Sequence, residues 1–134
     1  MTHEMQSFIL GLAAGAGGYL VVTFWLHPLL KYREIHGQVH SDLIYFANAT
    51  NANGLNAEME RRMWERVSAN RRHSADLLAV FEVLPWWYRK WLACRDRDPR
   101  RAAVHLLGLS NTFDHTGATV RVNRVRAALG LPET

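Results

Sequence analysis

The chain has 134 residues, a single cysteine and a formal net charge of +4. One cysteine, Cys94, excludes an intramolecular disulfide framework and a cysteine-based zinc site. A hydrophobic share of 49 % excludes a disordered chain, and the length leaves room for one small domain beyond any membrane segment.

Residues 1–7 form a short leader without Lys or Arg, and residues 8–30, FILGLAAGAGGYLVVTFWLHPLL, contain no Lys, Arg, Asp or Glu. A helix of that length, at about 1.5 Å per residue, crosses a bilayer core. All 16 Lys and Arg lie at or after Lys31, with Lys31 and Arg33 directly behind the apolar run. The positive-inside rule then predicts an outer N-terminus and a cytoplasmic domain at residues 31–134. A cleaved signal peptide would have a basic start and a small-residue cleavage site, so an uncleaved anchor is expected. Gly11, Ala14, Gly15 and Gly18 put small residues on one stripe, which lets a second helix approach closely. Trp25 and Tyr32 are expected at the inner membrane interface. Pro28 is expected to kink the exit or to mark the start of a new helix, and His27 to reach the headgroups.

From Leu30 to Asn48 the residues Ile35, Val39, Leu43 and Phe46 recur at helical spacing. Asn48 to Gly54 reads as a loop, and Asn56 as the N-cap of a helix with Glu58 and Glu60 in its first turn. Along that helix Met59, Met63, Val67, Asn70, Ser74, Leu78 and Phe81 trace one face, with a middle more polar than a simple core stripe. Arg61, Arg62, Arg66, Arg71 and Arg72 fall mostly off it, and Pro85 ends it. This return helix is longer than the outward one, so its end must come back to the bilayer surface. There the chain carries Trp86, Trp87, Tyr88, Arg89, Lys90 and Trp91, rings and cations suited to headgroup level and to anionic lipid.

Asp98 before Pro99 is an N-cap with proline at the first helical position. Ala102, Ala103, Leu106, Leu107 and Leu109 make the following helix apolar. A last helix, from about Ala118 to Leu129, places Val122, Val125 and Leu129 on one face and stops at Gly130 and Pro132. The fold class read from this pattern is all-α: one N-terminal transmembrane helix followed by a small antiparallel cytoplasmic helical bundle.

No phosphate-cradling glycine loop, H-E-x-x-H or G-x-S-x-G motif is present. His36 and His40 share a helix face, but no third ligand stands within reach by spacing, so neither a metal nor a catalytic group is expected, and no cofactor. Cys94 lies among Arg89, Lys90, Arg95 and Arg97 but lacks an evident base.

Three stretches, Tyr32-Arg33-Glu34-Ile35-His36-Gly37, Leu43-Ile44-Tyr45-Phe46-Ala47-Asn48 and Leu107-Gly108-Leu109-Ser110-Asn111, resemble a group of small bacterial proteins with one N-terminal membrane helix and no assigned reaction. The resemblance covers a minor part of the chain and implies a location in the bacterial inner membrane. Asn48, Ser110 and Asn111 read as caps or buried hydrogen-bonding posts.

The expected role is therefore non-enzymatic. The helical domain would mediate assembly, either with itself or as an accessory subunit of a larger membrane complex, in contact with membrane lipid. The alternative is a tethered sensor or effector that binds an anionic ligand (nucleotide, nucleic acid or acidic lipid) through Arg61, Arg62, Arg66, Arg71 and Arg72. Glutamates interspersed among those arginines argue against nucleic acid.

Overall fold

One continuous helix from His3 to Tyr45 runs through both the apolar segment and the first part of the basic domain. It comprises α1 (His3–Val21), a π-helical turn (Val22–Leu26) and α2 (His27–Tyr45). The computed structural model describes residues 2–47 and 57–133, and 86 % of these are helical, with no strand. The expected loop from Asn48 to Gly54 and the cap at Asn56 lie outside the described residues. The remaining elements are α3 (Ala57–Val83), α4 (Trp86–Cys94), α5 (Pro99–Ser110) and α6 (His115–Leu129).

Pro28 does not break the first helix. It cannot donate to the carbonyl of Phe24, and its ring would crowd that carbonyl. The helix widens just ahead of it, and the His27 N–H donates to the carbonyl of Val22, five residues back. The boundary expected between residues 30 and 31 thus falls inside regular helix. Chemically, however, the two halves differ. No residue of α1 is buried, whereas α2 buries Tyr32, Ile35, Val39 and Leu43. The most apolar 18-residue window has a mean hydropathy of 1.8, and the rest of the chain covers none of it. By length and composition this helix can cross a membrane.

Around α2 the other helices close a ring: α2 packs on α3, α3 on α5, α5 on α6, and α6 returns to α2. The core comprises Ile35, Val39 and Leu43 of α2, Leu77 and Val80 of α3, Leu106 and Leu109 of α5, and Val125 and Leu129 of α6. Ala102 and Ala103, both fully buried, let α5 approach α3 closely enough for the Ser74 hydroxyl to donate to the Ala103 carbonyl at 2.7 Å.

The buried face of α3 differs from the expected one at both ends. Met59 and Leu78 are exposed and Phe81 is half-buried, while Leu77, Val80 and Leu84 point inward.

The helix ends obey simpler rules. Asp98 caps α5, accepting from the N–H groups of Arg100 and Arg101 at 3.1 and 3.2 Å, with Pro99 in the first turn. Asp114 caps α6 by accepting from Gly117 N–H at 2.6 Å, so this helix starts three residues before the expected Ala118. Gly130, at φ 67°, ends α6 in a left-handed cap. The N–H of Leu131 donates to Arg126 O at 2.8 Å, and that of Gly130 to Ala127 O at 3.3 Å.

Two substitutions test these ends by thermal unfolding of the full chain in mild detergent. Gly130→Ala places a β-carbon against the Arg97 guanidinium in a backbone region that side chains avoid. It is expected to cost about 1–2 kcal/mol, and an unchanged midpoint would refute the left-handed cap. Asp98→Ala removes the α5 cap and is expected to cost about 1 kcal/mol.

Candidate functional site

The middle of α3 carries Arg66, Asn70, His73 and Ser74, spaced so that all four share one helix face, and all four are buried. Each apolar neighbour along that face excludes water, so every polar atom needs a partner within the protein. Ser74 finds the Ala103 carbonyl. His73 donates from Nε2 to Asp42 Oδ2 of α2 at 2.5 Å. Arg66 donates from Nη1 to Leu109 O and from Nη2 to Thr112 O, both at 3.0 Å. The guanidinium therefore sits on the C-terminal end of α5, where unpaired carbonyls give the helix its negative pole. Burial pushes the Arg66 pKa down, and among the described residues no carboxylate pairs with it.

Arg66, one of the five arginines read as candidates for an anionic ligand, is thus buried in the interior. The other four are also dispersed. Arg61 pairs with Glu58 and Glu65, and Arg62 with Glu58. Arg71 donates to Asn111 Oδ1 at 3.2 Å, while Arg72 lines a shallow groove with Asp42, His73 and Asp76. Asn111 and Ser110 do act as hydrogen-bonding posts: the Ser110 hydroxyl donates to Leu107 O at 2.6 Å.

Beside the polar face lies a cavity of about 250 Å³ lined by the end of α2, the middle of α3, Leu109 of α5 and the inner face of α6 from His115 to Arg126. Arg66 and Asn70 line it from α3, Asp42 and Phe46 from α2, and His115, Val122 and Arg126 from α6. Arg66 Nε, Asn70 Nδ2 and Arg126 Nε are buried without a hydrogen-bond partner among the described residues. Sequence reasoning marked Asn70 and Ser74 as a polar interruption but missed Arg126 and the His73–Asp42 pair. The interruption was the only signal; Arg126 and Asp42 come from helices whose contacts no spacing rule discloses.

The histidines at 36 and 40 do not converge on a common site. His36 donates from Nε2 to Leu129 O at 3.0 Å, and His40 Nδ1 is buried without a partner. Among the described residues no group of three His, Cys, Asp or Glu is placed to hold a metal ion.

A second surface lies at the end of the apolar segment. Trp25 meets Trp87 edge-on at 6.1 Å, so α4 is held against the helix that carries the span. Tyr88 stacks on Trp91 at 5.2 Å, and Tyr32 meets Tyr88 at 5.9 Å. Lys90 lies 5.2 Å from the centre of the Trp86 ring, Arg95 lies 4.6 Å from that of Trp91, and Arg89 turns to Phe81. Trp86 is 66 % exposed and Trp25 49 %. Tyr32 is the exception in this set: it is buried, its hydroxyl lacks a partner, and it packs inside rather than presenting its ring outward. Along α1 a β-carbon built at Gly11, Gly15 or Gly18 would meet nothing within 4 Å, and Ala14 beside them is exposed. The small-residue stripe is open.

A third group is basic. His105 of α5 shares a shallow cleft with Arg101 and Arg124, and its pKa is lowered by burial and then by Arg124, Arg121 and Arg101. Arg121 lies over Gly108, whose missing side chain makes the room.

No family model matches the chain, and neither a curated protein nor a solved structure matches it.

Arg66→Ala strips a donor from Leu109 O and Thr112 O in the interior and is expected to cost about 2–3 kcal/mol. Arg62→Ala, on the exposed face, is expected to stay within about 0.5 kcal/mol. Chemical denaturation of both variants measures the contrast. The tyrosines supply a pH test. Burial raises the Tyr32 pKa to about 12 and moves Tyr88 upward as well. A phenol whose folded pKa lies above its unfolded value of 10.0 stabilises the fold below pH 10, and that contribution fades as pH rises towards 12. Absorbance titration is expected to show late ionisation of Tyr32 that advances when the chain is unfolded.

Proposed function

We propose that the chain is a single-pass membrane protein of the bacterial inner membrane whose antiparallel helical domain stands in the cytoplasm and mediates assembly. The observation that carries this reading is the helix α1, apolar from Phe8 onward and without one buried residue. A core helix of a soluble protein of this length would bury a stripe against its neighbours. This one leaves its apolar surface for lipid or for another helix. The open stripe at Gly11, Ala14, Gly15 and Gly18 suits close approach of a second helix, from a copy of the same chain or from a larger membrane complex.

The orientation follows from Lys31, Arg33 and the basic domain behind the span. Support for the antiparallel course comes from the pairings of α2 with α3: His27 to Ile35 lie beside Asp76 to Val83, whereas Asp42 meets His73 and shares a cavity wall with Arg66. That course brings the end of α3 back to the exit of the span. The contact of Trp25 with Trp87 then sets α4 at headgroup level, its rings and cations facing lipid.

Two experiments test the two parts. Gly11, Gly15 and Gly18 replaced together by Leu are expected to dissociate the assembly extracted from host membranes, as read by native mass spectrometry. An unchanged assembly would remove the helix-packing role. For the interface, variants retaining one tryptophan each are reconstituted with brominated lipid. Trp86 is expected to be quenched and Trp64, about 28 Å along α3 from its end, to be spared. Equal quenching of the two would place α4 away from the bilayer.

A further inference from the structure

We propose that the cavity between α2, α3 and α6 is a binding site for a small organic carboxylate with an apolar body. The case begins with what is left unpaired. Arg66, 3 % exposed, and Asn70, 2 % exposed, line the cavity from α3, and Arg126 lines it from α6. Arg66 Nε, Asn70 Nδ2 and Arg126 Nε are all N–H donors, all are buried, and none has a partner among the described residues. A folded protein keeps few such orphans, because each forfeits its bond to water without replacing it. Three on residues of one cavity, all of the same polarity, point to an acceptor that the described residues do not supply.

Charge selects an anion. Two guanidinium groups face a single carboxylate, Asp42, which is engaged with His73. Arg66 is a buried cation whose two Nη atoms are spent on neutral carbonyls, an arrangement that costs solvation without returning an ion pair. A carboxylate matches the planar guanidinium fork and meets several N–H donors at once. The apolar part of the lining selects the body: Leu43, Phe46, Leu109 and Val122 offer it hydrocarbon surface. A cavity of about 250 Å³ has room for a small organic acid.

The test is isothermal titration of the full-length chain in detergent at low ionic strength with benzoate, hexanoate, benzyl alcohol and inorganic phosphate. One saturable site for benzoate or hexanoate is expected, with benzyl alcohol and phosphate at least tenfold weaker. Arg126→Gln should weaken the carboxylate about tenfold, the scale of one charge-assisted hydrogen bond. Because Arg126 makes no side-chain hydrogen bond to the described residues, this variant keeps the fold even where Arg66 variants lose it. Arg61→Gln, on the solvent face, should leave binding unchanged. Absence of saturable binding for both carboxylates would overturn the proposal, as would full affinity in Arg126→Gln. Phosphate binding as tightly as benzoate would overturn the assignment of an organic acid.

Discussion

The fold depends on satisfying the last carbonyls of two helices, in part with donors that come from far along the chain. At the end of α6, the carbonyls of Arg126 and Ala127 are taken by the N–H groups of Leu131 and Gly130, that of Ala128 by Asp98 N–H at 2.8 Å, and that of Leu129 by His36. Four acceptors that no α-helix satisfies internally are thus all paired, two within the turn and two from other elements. At the end of α5 the buried guanidinium of Arg66 performs the same task. These contacts are directional, unlike the apolar core, so they fix which helix end lies beside which. His36 ties α2 to α6 and Arg66 ties α3 to α5, and the ring of helices has one closed arrangement.

That arrangement explains why one helix serves two environments. In α2 every third or fourth residue turns inward against α3 and α6, while in α1 none does. The π-turn between them absorbs the missing donor of Pro28 without ending the helix. Mechanical continuity from the apolar segment into the packed domain follows. On the membrane reading proposed above, the span and the domain form one body, and α4 braces the junction through Trp25 and Trp87.

Sequence reasoning recovered the features governed by local rules. The all-helical class, the apolar span, the caps at Asp98 and Gly130 and the stop at Pro85 depend on residues within a turn of each other. It failed where tertiary contact overrides a local preference. Arginine is a surface residue by composition, and only the approach of the α5 carboxyl end makes a buried place for Arg66. Tyr32 follows the span closely enough to suggest an interfacial ring, yet Tyr88 and His36 enclose it. The ends marked by Asp98, Gly130 and Pro85 were legible; the partner of each exposed-looking polar group was not.

The same division applies to the candidate site. Asn70 and Ser74 stand out in the sequence because they interrupt an apolar face, and a polar residue there has to be answered by something. Ser74 is answered by a backbone carbonyl and His73 by Asp42, so two of the four positions on the α3 face serve the fold. Asn70 is not answered, and Arg66 only in part. If these two were required for packing alone, apolar residues of similar volume would do so at lower solvation cost. Their placement beside a cavity, with the unpaired Nε of Arg126 on α6, is the pattern of the carboxylate site proposed above rather than of a core that tolerates polarity.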